Sequence, residues 1–273
     1  MKRVQKLFVF AYLIFLLGLR LSGSLSSPLS TFFYVLSYLL PAVLLFRLAG
    51  GGKEAFSVCP PRIGGRTLLL TLPLFCPTVL LLFGISALST LLLGVFGVQN
   101  ETALTGNAWE ILLTYILLPA LFEEFLFRFL PLTYLSPYGR RGAILFSALC
   151  FSLTHCDFFQ MPYAFVAGIL FAAIDLATGS VLPSVLFHLG NNALSVLLLR
   201  FGQTGNLPWI FFLSLGGISL LSLLFVLWKK EAYREMFFPK NEEKEKLIFT
   251  KSILSLAVLC VFFAVLRLIA LCA

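Results

Sequence analysis

The sequence is poor in charge. Only 12% of its 273 residues are Asp, Glu, Lys or Arg, while 60% are apolar and mean hydropathy is +1.00. A soluble domain carries about 25% charged and about 45–50% apolar residues. A soluble fold could not hide this much apolar surface, whereas lipid removes the need to hide it. Long polar linkers are missing as well, so a string of soluble domains is excluded. The six cysteines (59, 76, 150, 156, 260 and 272) lie mostly inside apolar stretches without regular spacing. That pattern excludes a disulfide framework and fits small core residues. Histidine is scarce too, with two, His155 and His188.

Apolar runs fill the space that these absences leave. A spanning helix needs about 20 mostly apolar residues, and candidates fall at 5–21, 29–48, 67–96, 108–132, 142–158, 162–177, 182–200, 207–228 and 252–271. The expected fold is all-α, a polytopic transmembrane helix bundle of eight or nine spans around an intramembrane polar cavity. Residues 67–96 exceed one crossing and contain Pro73 and Pro77, so a tilted or kinked helix is expected there. The first span has a basic start but no convincing small-x-small site after it, and reads as a retained anchor. Three parts follow from these runs. They are N-terminal helices in 1–100, a core in 101–205, and C-terminal helices in 206–273 with a solvated cytoplasmic loop at 229–251. Asn100-Glu101-Thr102 fits a weak glycosylation pattern.

The net charge of +8 is placed for a bilayer rather than for nucleic acid. Sixteen of the twenty Lys and Arg lie at the N-terminus, in 47–66, at 140–141 and in 229–251. Those segments share one side if the chain crosses at every span, which is the positive-inside pattern. The expectation is a multi-pass protein of a bacterial plasma membrane with a cytoplasmic N-terminus.

Against this background a few residues are out of place. Glu123, Glu124 and Arg128 lie in 108–132, His155 near the end of 142–158, and His188 with Asn192 in 182–200. A charge at bilayer depth costs at least about 2.5–3.5 kcal/mol, so such groups face a polar interior and mark function. Glu124 and Arg128 are four apart and can pair on one helix face. Glu123 is turned about 100° from its neighbour, which assigns the two acids different roles. Phe151 and His155, and His188 and Asn192, repeat the four-residue spacing. A Glu–Arg pair or a lone His can serve helix adhesion alone. Two acids, both histidines and an Asn on three spans are more than adhesion requires. A carboxylate and an imidazole within reach of one water make a base, and an Asn amide with a second His can donate to an oxyanion. Those parts suffice to hydrolyse an amide bond away from bulk water.

Three motifs carry a resemblance. Glu123-Glu124-Phe125-Leu126-Phe127-Arg128 resembles the EExxxR signature of the CPBP intramembrane proteases, the CAAX-protease and bacteriocin-processing or Abi family. Phe151 to His155 matches its FxxxH motif and His188 to Asn192 its HxxxN motif, in the family's order, within residues 108–200. The resemblance implies a membrane endopeptidase acting on membrane-associated peptides or proteins. It implies that Glu123 and His155 activate water, that His188 and Asn192 stabilise the oxyanion, and that Glu124 and Arg128 support the site. Phe129 stands where relatives often have Gly, which narrows the expected cavity.

No cofactor is expected on this reading. A rival within the enzyme class makes Glu123, His155 and His188 ligands of a catalytic Zn²⁺, although no HExxH helix is present. Rivals of other classes are a transporter, with Asp175 joining a proton relay, and a catalytically silent immunity protein. For Asp175 a helix-end place near headgroups is the favoured reading. By helix rise, His155 also lies nearer the opposite membrane face from Glu123 and His188.

Overall fold

Lipid offers the backbone no hydrogen-bond partners, so a chain this apolar satisfies its amides internally, within helices. The computed structural model describes residues 2–23, 29–48, 65–99, 104–202, 206–238 and 251–272, and the regular structure among them is helical throughout. Helix α1 (Lys2–Gly23) packs along α2 (Leu29–Leu48). Gly18 permits that approach, since a Cβ there would fall 2.6 Å from the Ser37 Cβ. Next come α3 (Gly65–Thr71), a tight 3₁₀ turn over Leu72–Leu74, and α4 (Phe75–Val95). The break holds Pro73, as its missing N–H leads one to expect.

The segment that bears the two carboxylates is the least regular. It consists of α5 (Ala108–Ile111), α6 (Leu118–Glu124) and α7 (Leu130–Leu135), joined by wide π-type turns over Leu112–Leu117 and Phe125–Phe129. Asn107 starts it with a capping box, its side chain accepting from the amides of Trp109 and Glu110 while Glu110 reaches back to the Asn107 amide. Both wide turns run into a proline near the start of the next α segment, Pro119 and Pro131. Pro131 has no N–H to offer the carbonyl of Phe127 four residues back. The hydroxyl of Ser147, on the next helix, donates to that carbonyl.

Beyond a short turn and Gly139, α8 (Arg140–Thr154) leads through a tight bend to α9 (Met161–Thr178). These two are closely packed, because a Cβ on Gly168 would meet the Ala148 Cα at 2.6 Å. Gly179, at φ +69°, caps α9 in the left-handed conformation that glycine adopts without steric cost. Then follow α10 (Leu182–Phe201), α11 (Leu207–Trp228), α12 (Lys230–Phe237) and α13 (Lys251–Cys272). Arg20 lies 5.2 Å over the Phe263 ring, and Arg267 pairs with Asp157 at 3.2 Å. These contacts bring the C-terminal ends of α1, α8 and α13 to one side of the molecule.

Six described helices are long and apolar enough to cross a membrane: Val4–Ser22, Leu69–Val95, Met161–Thr178, Leu182–Phe201, Pro208–Trp228 and Ile253–Leu271. Phe32–Arg47 is a shorter apolar helix. The remaining expected spans, 108–132 and 142–158, are helical but segmented or short.

Two expectations change. Residues 229–251, read as a solvated loop, open instead with α12, whose buried Tyr233 donates to the Leu70 carbonyl at 2.8 Å. The aromatic residues of this amphipathic helix give it a face that docks on its neighbours. Asp175 does lie in the last turn of α9, but it is turned inward: it is 3% exposed and accepts hydrogen bonds from the Ser184 amide and hydroxyl at 3.3 and 2.8 Å. The glycosylation pattern at 100–102 and most of the basic segment 47–66 lie outside the described residues. Cys76, Cys150, Cys156 and Cys260 carry free thiols.

Candidate active site

The buried end of α6 places its last two residues against α10. Glu124 is fully buried, with its Oε1 2.7 Å from the Nδ1 of His188 and its Oε2 3.4 Å from the Nε of Arg128. A carboxylate can only accept, so the proton of His188 on that side sits on Nδ1. Glu123 meets the same ring from the other side, its Oε2 lying 3.7 Å from the Nε2 of His188. One imidazole is therefore flanked by two adjacent carboxylates, the nearer buried and the farther with its side chain 15% exposed.

Arg128 is wholly buried, and its guanidinium carbon stands 4.0 Å above the Phe151 ring and 5.9 Å from that of Phe171. A weakly hydrated planar cation is suited to such faces. Its nitrogens make no hydrogen bond among the described residues, so the Glu124 carboxylate and the aromatic faces are what offset its burial.

Phe151 links this cluster to the second histidine. The ring of His155 lies 4.8 Å from that of Phe151, edge to face, and His188 lies 6.0 Å from the same ring. The Nδ1 of His155 is 2.8 Å from the carbonyl of Phe151 one turn back. A carbonyl accepts only, so Nδ1 carries the proton and Nε2 is left as the accepting nitrogen of the neutral ring. The distance in depth expected between His155 and His188 is thus bridged by one aromatic side chain.

Of the six residues singled out by the sequence, the structure brings four together: Glu123, Glu124, Arg128 and His188. His155 joins them through Phe151. Asn192 is half-buried one turn beyond His188 on α10. Also among the described residues, no three His, Cys, Asp or Glu groups are arranged to hold a metal ion.

Sequence reasoning missed Tyr38, on α2, whose hydroxyl donates to Glu123 Oε1 at 3.0 Å. One tyrosine among eight in apolar surroundings gives no signal of its own. Phe129 does line a cavity, of about 300 Å³, with Thr133, Ser136, Arg140 and Asp175. None of the six expected site residues borders it.

Fold and helix composition define the class: the chain is a multi-pass integral membrane protein. The stretch 105–194, which holds all three motifs, matches the family model described as type II CAAX prenyl endopeptidase Rce1-like. The resemblance to the CPBP and CAAX proteases is borne out over that stretch. Neither the curated proteins nor the solved structures yield a match to the chain.

Proposed function

We propose that this protein is an intramembrane endopeptidase that hydrolyses peptide bonds of membrane-associated peptides or proteins by activated water. The observation that carries the reading is His188 held between Glu123 and Glu124, beside a buried Arg128, in the family-matched stretch. Glu123 is the more exposed acid and serves as the base that takes a proton from water. The free Nε2 of His155 assists it, and microscopic reversal returns the proton to the leaving amine. Glu124, with Arg128, fixes the ring of His188. With a proton on Nε2 as well, that ring offers an N–H to the space beside Glu123 Oε2, and with the Asn192 amide it donates to the tetrahedral oxyanion formed there. No ion is needed in this scheme, and the Zn²⁺ set of Glu123, His155 and His188 is the alternative that elemental analysis separates.

The basic starts of α1, α8 and α13 support a cytoplasmic N-terminus, and further crossings at 29–48, 108–132 and 142–158 complete the nine-span reading in a bacterial plasma membrane. The test is direct. Purified protein in liposomes is given membrane-anchored peptides with and without a prenyl group, and the products are read by mass spectrometry. Cleavage lost in Glu123→Gln supports the reading. Solute flux without cleavage makes the protein a transporter, and neither activity makes it a silent interaction protein.

A further inference from the structure

Tyr38 belongs to α2, outside residues 105–194, and is 3% exposed. Its hydroxyl donates to one oxygen of Glu123 at 3.0 Å, while the other oxygen faces His188 at 3.7 Å. The phenol is itself clamped. Its ring stacks on Phe122, the residue next to Glu123, at 5.6 Å and 22°, and contacts Phe15 at 4.8 Å. Because its own proton is committed to the carboxylate, its oxygen accepts from Tyr34, 3.3 Å away. The result is a directed series, Tyr34 to Tyr38 to Glu123, ending on Oε1.

A glutamate otherwise has three rotatable side-chain bonds and two equivalent oxygens. A rigid donor on one oxygen selects a rotamer and makes the oxygens unequal, leaving Oε2 to face the reaction space. We propose that Tyr38 is a positioning residue of the site, holding Oε1 of Glu123 so that Oε2 is the oxygen that meets water. This rests on the endopeptidase reading. It also means that the matched stretch is incomplete as a site without α2.

Fluorotyrosine at position 38 tests the contact and the role separately. The fluorine resonance is expected to shift in Glu123→Gln and to stay in place in Glu110→Gln, a readout that needs no activity. Ring fluorination barely alters shape but strengthens the donor, so kcat is expected to change steadily with one and two fluorines, which a purely structural ring would not cause. Tyr38→Phe keeps the stacking and should lower kcat by about 10- to 100-fold, the range for a hydrogen bond to a charged group, with KM nearly unchanged. A resonance indifferent to Glu123→Gln, or parent kcat in Tyr38→Phe, overturns the proposal. If the parent cleaves no peptide, the endopeptidase reading falls, while the fluorine signal still decides whether Tyr38 holds the carboxylate.

Discussion

Glu123 and Glu124 are neighbours in the chain and meet opposite nitrogens of one imidazole, yet their surroundings separate their uses. Glu124 has Arg128 and His188 as partners in a fully buried place; Glu123 is partly exposed. Glu123→Gln should therefore abolish cleavage and leave the folded yield and Tm almost unchanged. Arg128→Ala strands a buried carboxylate and leaves a cavity between Phe151 and Phe171. It should cost about 3–5 kcal/mol of stability, read as a lowered Tm in detergent together with lost activity. For His188→Ala the metal-free scheme expects about 3 kcal/mol of lost transition-state stabilisation, a residual rate, and no zinc in either protein. Stoichiometric zinc in the parent, lost in His188→Ala together with nearly all activity, would sink that scheme. The Glu124–Arg128 pair was legible because four-residue spacing survives any uncertainty about helix ends. Tyr38 was not, since its partner lies 85 positions away and tertiary packing alone joins them.

At the scale of helices, small residues decide how near the site's supports approach one another. In lipid no hydrophobic force drives helices together, so close backbone packing has to do so. Gly168 against Ala148 sets the distance between α8, which bears Phe151 and ends at His155, and α9, which bears Phe171. Gly168→Val forces these helices apart and should lower both Tm and kcat, whereas Gly84→Ala, where an added Cβ meets nothing within 4 Å, should change neither. Thermal unfolding and cleavage of the two variants side by side check the contrast. The break at Pro73 was readable from the proline itself. Dense packing of α8 on α9 was not, because an isolated glycine in an apolar run gives no partner.

For the molecule as a whole, composition announced the bilayer, and the positions of charge are what the proposed orientation rests on. The described contacts agree with the parity of that reading, since α1, α8 and α13 end on a common side. Single cysteines at positions 53 and 240, in a background without native Cys, should label from the cytoplasm, and one at 103 from the opposite face. If 53 and 103 label from one side, the span count in the first half is wrong. Depth could not be read so well, because counting 1.5 Å per residue assumes regular helices, and the segment 108–135 is not one.

That irregularity has its own corollary. A π-type turn holds one more residue than the α-turn it replaces, so the register of the carboxylate-bearing helix is offset at Phe125–Phe129. Removing one residue there, Arg128 excepted, would restore ordinary winding and leave the segments on either side nearly in register, because the wide i→i+5 turn covers about the rotation of an i→i+4 turn. A one-residue deletion in a regular helix, by contrast, rotates everything beyond it by about 100° and behaves as a frameshift in space. Deleting the exposed Phe125 should therefore lower Tm in detergent less than deleting one residue in the middle of the regular helix α8.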